Sequence, residues 1–205
     1  APTNLGVPGL IAMTAADLRQ ACQAIAHYEL LNSFNVRGQS KFYISQGSGI
    51  KDGILEFYSL SPYNDYNYFV VDSVLSGWMN VITALIGTVG AVKQVCFEFP
   101  APSYYDKYDD FFTCEVLFNQ PANKLIINAD SLNEPCINSC ETIYHLLKHQ
   151  ADNDLSRAQL GLSFTEKVAR AITPSLNVAI PTLNQVAELL NIAPWTIRRR
   201  LIEEG

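Results

Sequence analysis

The chain has 205 residues, of which 48% are hydrophobic, 11% aromatic and 17% charged. Such a composition can bury a sizeable core, which excludes a disordered, collagen-like or coiled-coil protein. The formal net charge of −6 argues against a protein that coats DNA or an anionic membrane uniformly. The charge is uneven, because residues 1–156 carry a net charge of −8 and residues 157–205 a net charge of +2. We therefore expect the C-terminal segment to be a separate part of the molecule.

The N-terminal part of the chain predicts a helix followed by a hairpin. Thr14-Ala15-Ala16-Asp17 has the spacing of a capping box and predicts an amphipathic helix that runs to about Leu31. Segments with strand character follow at 41–45 and 53–60. The glycines between them are typical of a hairpin turn, since a phosphate-binding loop needs a strand before it and a helix after it.

A long, mostly apolar helix is predicted over residues 68–86, ending near Gly87 and Gly90. Asp72 and Asn80 interrupt this apolar run, and an acid plus an amide would be costly in lipid. We therefore expect a core helix rather than a membrane span, and no membrane partner.

The next part of the chain alternates strands and helices. Strands are predicted at 92–99, 115–118 and 124–128, with a turn at 119–123. A short helix is predicted at 104–112. A second helix is predicted to follow a cap at Asn138, with a buried stripe of Cys140, Ile143, Tyr144 and Leu147. A third is predicted from the capping box Ser163-Phe164-Thr165-Glu166 to Thr173-Pro174. This order predicts an α+β fold in which helices pack on an antiparallel or mixed sheet.

Cysteine and histidine usage gives no sign of catalysis or metal binding. Five cysteines, an odd number, indicate a reducing compartment and hence a cytoplasmic protein. Cys136 and Cys140 lack a second cysteine pair, so buried thiols are expected. His145 and His149 are four residues apart on a predicted helix, but they share its charged, solvated face. Neither a nucleophile elbow, a Walker loop nor a His-Glu-x-x-His motif occurs, so we expect no enzyme, no metal and no cofactor.

Two short helices are predicted in the C-terminal segment. The first follows Pro181-Thr182 and has an apolar stripe at Leu183, Val186, Ala187 and Leu190. Asn191 breaks the pattern, because asparagine tolerates the left-handed conformation that a turn needs. Pro194 opens the second helix, whose apolar face contains Ile197 and Leu201. The opposite face contains Trp195, Arg198, Arg199 and Ile202.

Two helices joined by so short a turn are typical of a helix-turn-helix, whose second helix enters the major groove of DNA. Arginines on its exposed face can pair with guanine or phosphate, and an indole can contact a base methyl group. Arg200 lies on the flank, where a phosphate or an intramolecular contact suits it. A helical hairpin with a merely solvated arginine-rich face stays the alternative at this point.

The segment 181–205 resembles the first helix-turn-helix of AraC-family transcription regulators. The matching features are Val186-Ala187, the Pro194-x-Thr196-Ile197 core and the ending Arg199-Arg200-Leu201…Glu204-Gly205. The resemblance implies base-edge contacts by Trp195, Arg198 and Arg199, with Thr196 and Arg200 in the same DNA-binding set. Two positions depart from the family pattern: Ala193 stands where a serine usually caps the second helix, and Asn191 where a glycine is common.

Much of the remaining chain resembles the N-terminal effector domain of one AraC-type subgroup. The matching features are Leu5-Gly6-Val7-Pro8-Gly9 before a helix at Thr14…Leu18, Pro102…Tyr105…Phe111-Phe112 and Phe118…Asn123-Lys124-Leu125. The resemblance implies an effector-binding domain at 1–157 lacking its N-terminal helical part, a linker helix at 158–174 and a partial, all-α helix-turn-helix module at 175–205. Since such regulators normally carry two helix-turn-helix units, we expect a fragment that by itself binds DNA weakly.

The resemblance also implies the partners: promoter DNA, a small-molecule effector, a second copy in a homodimer, and RNA polymerase. The effector and its binding residues stay unknown. The aromatic residues available for a pocket are Tyr63, Tyr66, Tyr68, Trp78, Tyr104, Tyr105 and Tyr108, and clustered tyrosines more commonly cover the edge of a core. The alternative hypothesis is a non-catalytic ligand- or protein-binding module whose C-terminal helices dock a partner protein.

Overall fold

A computed structural model of the chain describes residues 2–32, 38–46, 49, 51–59, 64, 68–176 and 180–204. These residues form two compact units, Ala1–Leu155 and Ser156–Gly205, and each is described by itself. The predicted α+β class is confirmed, because the first unit contains a mixed five-stranded sheet and the described residues form eight α-helices.

The elements follow one another with helices before, between and after the strands. The helices that begin in the first unit are α1 (Gly6–Thr14), α2 (Leu18–His27), α3 (Tyr68–Ile86), α4 (Asp106–Phe111) and α5 (Glu141–Leu160). The strands are β1 (Gly38–Ile44), β2 (Gly53–Ser59), β3 (Val92–Cys96), β4 (Glu115–Leu117) and β5 (Asn123–Ile127). The second unit contains α6 (Phe164–Ile172), α7 (Leu183–Leu190) and α8 (Pro194–Glu204).

The sheet has the strand order β1-β2-β5-β3-β4. The predicted hairpin is confirmed, since β1 and β2 are antiparallel with Ile44 opposite Gly53. Strand β3 lies between β4 and β5 and pairs in parallel with β4 and antiparallel with β5. The predicted turn at 119–123 therefore connects strands that are not neighbours. This turn runs past the segment that follows β3, where Asn119 N donates to Phe99 O at 3.1 Å. The backbone of Asn119 is left-handed there, with a φ of 54°.

One face of the sheet packs on α2 and α3. Alternate strand residues on this face are buried: Leu55, Phe57, Val95, Leu125 and Ile127. Helix α3 is the one described helix that is long and apolar enough to cross a membrane, and half of its most apolar window is buried. Its nine buried side chains, Leu75 and Ile82 among them, belong to the same cluster as the sheet residues. Helix α3 is therefore the core helix that the sequence predicts.

The predicted capping box at Thr14 is wrong. Thr14 is the last residue of α1, and its hydroxyl donates to Ile11 O at 3.0 Å. Asp17 caps α2 instead, because its Oδ1 accepts a hydrogen bond from Gln20 N at 2.8 Å. Gln20 Oε1 accepts from Ala16 N at 2.8 Å and not from Asp17 N, so the cap of α2 lies three residues later than predicted and is not a reciprocal capping box.

The predicted cap and buried stripe of α5 are also partly wrong. The helix begins at Glu141 rather than directly after Asn138. Ile143, a residue of the predicted stripe, is 46% exposed. The buried residues of this helix are Ala151 and Leu155, about two and three turns further along.

Tyr28 contacts the inner face of α5 by a hydrogen bond and by apolar packing. The Tyr28 hydroxyl donates to Asp152 Oδ1 at 2.5 Å, and Lys148 Nζ lies 2.8 Å from Asp152 Oδ2. Burial and this hydrogen bond raise the pKa of Tyr28 to about 12, so its hydroxyl remains a donor at neutral pH. Tyr28 packs with Ala151 and Leu155, and this face of α5 is therefore the inner one.

A buried asparagine connects three parts of the first unit. Asn123, at the start of β5, is completely buried. Its Nδ2 donates to Glu98 Oε2 at 2.8 Å and to Phe57 O at 3.4 Å. Its Oδ1 accepts from Glu98 N at 2.9 Å. A completely buried amide that makes these three hydrogen bonds stabilises the fold.

We expect Asn123→Ala to lower the free energy of unfolding by about 2–3 kcal/mol, because these three hydrogen bonds of a completely buried amide would be lost. The matched control Asn128→Ala removes a hydrogen bond to Gly90 O at a half-buried position and should cost about 1 kcal/mol or less. Urea denaturation followed by far-ultraviolet circular dichroism measures both values. Equal losses for the two variants would contradict the role assigned to Asn123.

Candidate functional site

The second unit is a cluster of three helices. Helices α6, α7 and α8 pack around four buried side chains, those of Phe164, Val186, Ala187 and Ile197. Partly buried side chains complete the cluster: Val168, Ile172, Leu183, Leu190, Ile192 and Leu201. The apolar stripe predicted on α7 and the apolar face predicted on α8 are therefore the inner surfaces of this unit. Helix α6 contributes to the same core.

The connection between α7 and α8 has the predicted form. Thr182 caps α7, and it makes both hydrogen bonds of a capping box with Gln185. Helix α7 ends at Asn191, whose backbone is left-handed with φ 53° and ψ 44°. Asn191 N donates to Glu188 O at 3.1 Å, which satisfies a carbonyl at the helix end. Only residues 191–193 separate α7 from α8.

Helix α8 has an apolar inner side and a charged outer side. Ile197 is 1% exposed, whereas Trp195 is 66% exposed. The other exposed residues of α8 include Arg198, Arg199, Arg200 and Ile202. Thr196 is half-buried. The structure therefore brings Trp195, Arg198 and Arg199 together on one surface, which we call the outer face of α8, and places Thr196 and Arg200 at its flank.

Arg199 is held on the outer face by two neighbours. Its guanidinium carbon lies 5.4 Å from the centroid of the Trp195 ring, in the range of a cation–π contact. Its Nε lies 3.6 Å from Glu203 Oε1. Both contacts are at exposed positions and are individually weak. Together they keep the Arg199 side chain on the outer face, and an anionic ligand would compete with Glu203 for its guanidinium.

Two residues near the end of α8 contact α6. The guanidinium carbon of Arg200 lies 5.3 Å from the centroid of the Phe164 ring, which is the intramolecular contact suggested by its flank position. The Glu204 carboxylate accepts hydrogen bonds from Phe164 N at 2.7 Å and Thr165 N at 2.8 Å. The contacts of Glu204 cannot be read from local sequence patterns, because its partners lie about 40 residues earlier in the chain.

Charge is concentrated on α8. The second unit contains six basic and four acidic residues, and three of the basic residues are the arginines of this helix. Glu204 and Glu166 are both engaged with backbone N–H groups, since Glu166 accepts from Ser163 N at 2.8 Å. Glu203 is the acidic residue that contacts Arg199. The outer face of α8 is therefore cationic, and anions are its natural ligands.

The cysteines and histidines singled out in the sequence do not assemble into a site within the described residues. There, no group of three or more His, Cys, Asp or Glu side chains could hold a metal ion. Burial raises the pKa of Cys136 to about 11, so its thiol is protonated at neutral pH. Cys140 is half-buried, and His145 and His149 are exposed on α5.

The candidate pocket tyrosines lie in different environments. Tyr63 and Tyr66 fall outside the described residues. Tyr108 is buried, and its hydroxyl donates to Asp72 Oδ1 at 2.9 Å. Tyr104 stacks on Tyr108 with ring centroids 6.1 Å apart, at the edge of the core of the first unit. This arrangement assigns none of them to an effector.

The left-handed backbone at Asn191 leads to a prediction about stability. We expect Asn191→Ala to destabilise the second unit by about 1 kcal/mol, because a Cβ without a polar group is strained at positive φ. Asn191→Gly should be neutral within about 0.5 kcal/mol, since glycine adopts this conformation without strain. Amide hydrogen exchange of α7 and α8 in the whole chain measures the local opening free energy. Equal protection in both variants would contradict the assigned conformation.

Comparison with known proteins places the chain in a family. Residues 1–136 match the family described as the arabinose-binding domain of AraC transcription regulators, at the N-terminus of those proteins. The structure is similar to the crystal structure of the transcriptional regulator CdpR from Pseudomonas aeruginosa, with a TM-score of 0.63 and 17% sequence identity. The likeness covers 100% of this chain and 65% of that chain, and at this identity it shows a common fold alone. No curated protein sequence matches the chain. Because the family match covers well over half of the sequence, the chain belongs to the AraC transcription regulators with an arabinose-binding-type N-terminal domain.

Proposed function

We propose that this transcription regulator reads promoter DNA through α8 and senses a small-molecule effector through its first unit. The observation that carries the proposal is the outer face of α8, where Trp195, Arg198 and Arg199 are exposed together on a helix whose other side is packed. Two helices with a turn of three residues have the dimensions of a helix-turn-helix, whose second helix fits the major groove.

Each residue of the proposed interface has a role suited to its position. Arg198 and Arg199 would pair with guanine edges or phosphate oxygens, and the indole of Trp195 would contact a thymine methyl group. Thr196 and Arg200, on the flank, would contact phosphates. The Arg200 contact with Phe164 leaves its guanidinium exposed, so both roles are compatible.

The domain arrangement follows from this assignment. We propose residues 1–157 as the regulatory domain, 158–174 as the connecting segment and 175–205 as the first helix-turn-helix of the DNA-binding module. Helix α6, within this connecting segment, packs against α7 and α8, so a movement of the connecting segment would reach the helix-turn-helix directly. The chain spans 65% of the length of the CdpR chain that it resembles.

Regulation would follow from a population shift. An effector that binds the two states of the first unit with different affinity would change how the reading helix is presented to DNA. A second copy of the chain, RNA polymerase and promoter DNA complete the proposed set of partners, in the cytoplasm. The net charge of −8 on residues 1–156 favours a DNA contact restricted to the second unit, because the first would repel phosphates.

The first test of DNA reading is the double variant Arg198→Ala/Arg199→Ala of the full-length natural protein. We expect its affinity for a DNA site selected by the wild type from a random pool to fall at least about tenfold, because one bidentate base contact alone contributes roughly 1–3 kcal/mol. The slope of log affinity against log salt should fall by about one per lost phosphate contact. Fluorescence anisotropy across a salt series measures both quantities.

The matched control is Lys51→Ala/Lys107→Ala, which removes the same charge from two exposed positions of the first unit. This control should bind the selected DNA as tightly as the wild type does. Equal binding by the arginine variant would overturn the proposed interface and favour the alternative, in which the C-terminal helices dock a partner protein.

A second test uses the two tryptophans of the chain. Trp78 is 5% exposed and Trp195 is 66% exposed, so acrylamide quenching of the free protein reports mainly on Trp195. We expect saturating DNA to reduce this quenching, because the major groove would cover the indole. Trp195→Phe should abolish the DNA-dependent change while retaining the Trp78 emission. Unchanged quenching of the wild type in the complex would exclude Trp195 from the interface.

A further inference from the structure

We propose that Glu204 is a positioning residue for DNA reading: its carboxylate holds the end of α8 against the start of α6 and so fixes the direction of the outer face. The inference rests on the proposed function, because it concerns the regulation and geometry of the same surface. It does not require Glu204 to touch DNA.

The geometry of the contact is bidentate. Glu204 Oε1 accepts from Phe164 N at 2.7 Å, and Oε2 accepts from Thr165 N at 2.8 Å. These are the first two N–H groups of α6, which have no partner within their own helix. A carboxylate at a helix N-terminus also interacts favourably with the helix dipole. Two bonds to one rigid turn restrict both the position and the rotation of the α8 end.

The remaining N–H groups at this end of α6 are already satisfied. Ser163 Oγ accepts from Glu166 N at 3.1 Å, and Lys167 N bonds to Ser163 O at 3.1 Å. The Glu204 carboxylate therefore accepts hydrogen bonds from the two N–H groups at the start of α6 that the capping box does not satisfy. Without the Glu204 carboxylate, Phe164 N and Thr165 N would donate to water instead.

A second contact ends on the same turn of α6. Arg200 lies one helical turn before Glu204 on α8, and its guanidinium is stacked over the ring of Phe164. Phe164 is itself buried in the cluster that contains Ile197. At 100° per residue, Glu204 and Trp195 point to opposite sides of α8. The contact with α6 thus restrains the helix from the side opposite to the indole without occupying the outer face.

Lys167 on α6 is the charged side chain that acts on the Glu204 carboxylate. The backbone N–H groups of Thr165 and Phe164 are the main cause that lowers the pKa of Glu204, with Lys167 a smaller one. The carboxylate is therefore fully ionised near neutral pH, and the contact is present under the conditions of a DNA-binding assay.

The test compares Glu204→Gln with Glu203→Gln in the full-length natural protein. Each variant removes one negative charge from the end of α8, so electrostatics alone predicts that both bind DNA more tightly. We expect Glu204→Gln to bind the selected DNA at least about fivefold more weakly, because an amide cannot accept two N–H bonds bidentately. Glu203→Gln, which frees Arg199 from its neighbour, should bind equally well or more tightly.

Nuclear magnetic resonance of the free protein provides a readout that is independent of DNA. In the wild type, the amide protons of Phe164 and Thr165 should resonate downfield because they donate to a carboxylate. Glu204→Gln should move both signals upfield and Glu203→Gln should leave them in place. This readout separates the two proposals: shifts as expected without any DNA binding by the wild type would retain the contact and reject the DNA-reading function.

Two results would overturn the inference. The first is unchanged amide shifts of Phe164 and Thr165 in Glu204→Gln. The second is DNA affinity in a folded Glu204→Gln variant that equals or exceeds the wild-type affinity. If Glu204→Gln loses the dispersed spectrum of the second unit, Glu204→Asp carries the same test, since it keeps the charge but shortens the reach by one methylene group. Wild-type affinity and amide shifts in Glu204→Asp would then reject the proposed geometry.

Discussion

The outer face of α8 depends on the burial of one side chain, Ile197. This residue is 1% exposed in the three-helix cluster, and its burial contributes roughly 2 kcal/mol. Because successive residues are 100° apart, the inward direction of Ile197 also fixes the outward direction of Trp195 and Arg199, each two residues away. The rotation of α8 about its own axis thus determines both which side chains enter the apolar core of the second unit and which form its charged surface. A shift of α8 by one residue would bury a charge and expose the core.

The features that the sequence predicts well are those set by neighbours in the chain. The start of α7 follows from the Thr182 capping box. Its end follows from Asn191, because asparagine tolerates the left-handed backbone conformation. The bounds of α3 coincide with its apolar run, since an apolar run of this length that stops before Gly87 can be recognised from the sequence alone. The capping box predicted at Thr14 is wrong, because the spacing of polar residues does not show whether Thr14 ends one helix or begins the next. The earlier helix α1 includes Thr14, and Asp17 then caps α2.

The features that the sequence does not predict are long-range. The insertion of β3 between β4 and β5 depends on pairing between segments that are far apart in the chain, and periodicity carries no information about it. The inner face of α5 is the one that packs against Tyr28, which contacts Ala151 and Leu155 and donates to Asp152. Ile143 is exposed although its spacing fits a buried stripe. Similarly, Arg198 and Arg199 stand out by residue type, whereas Glu204 does not. Its role becomes visible only when the first turn of α6 is placed beside it.

The two adjacent glutamates at the end of α8 show why residue counts are a poor guide to surface charge. By count, Glu203 and Glu204 oppose the three arginines of α8 equally. Their directions differ by 100°, so Glu203 lies near Arg199 while Glu204 binds the N-terminus of α6. The Glu204 carboxylate thereby interacts with a helix end that is itself partly positive. It therefore reduces the positive potential of the outer face less than its closeness in sequence to the arginines suggests. A chain with a net charge of −6 can in this way present a cationic helix face, because the direction of each side chain, and not the total, decides which charge a ligand meets.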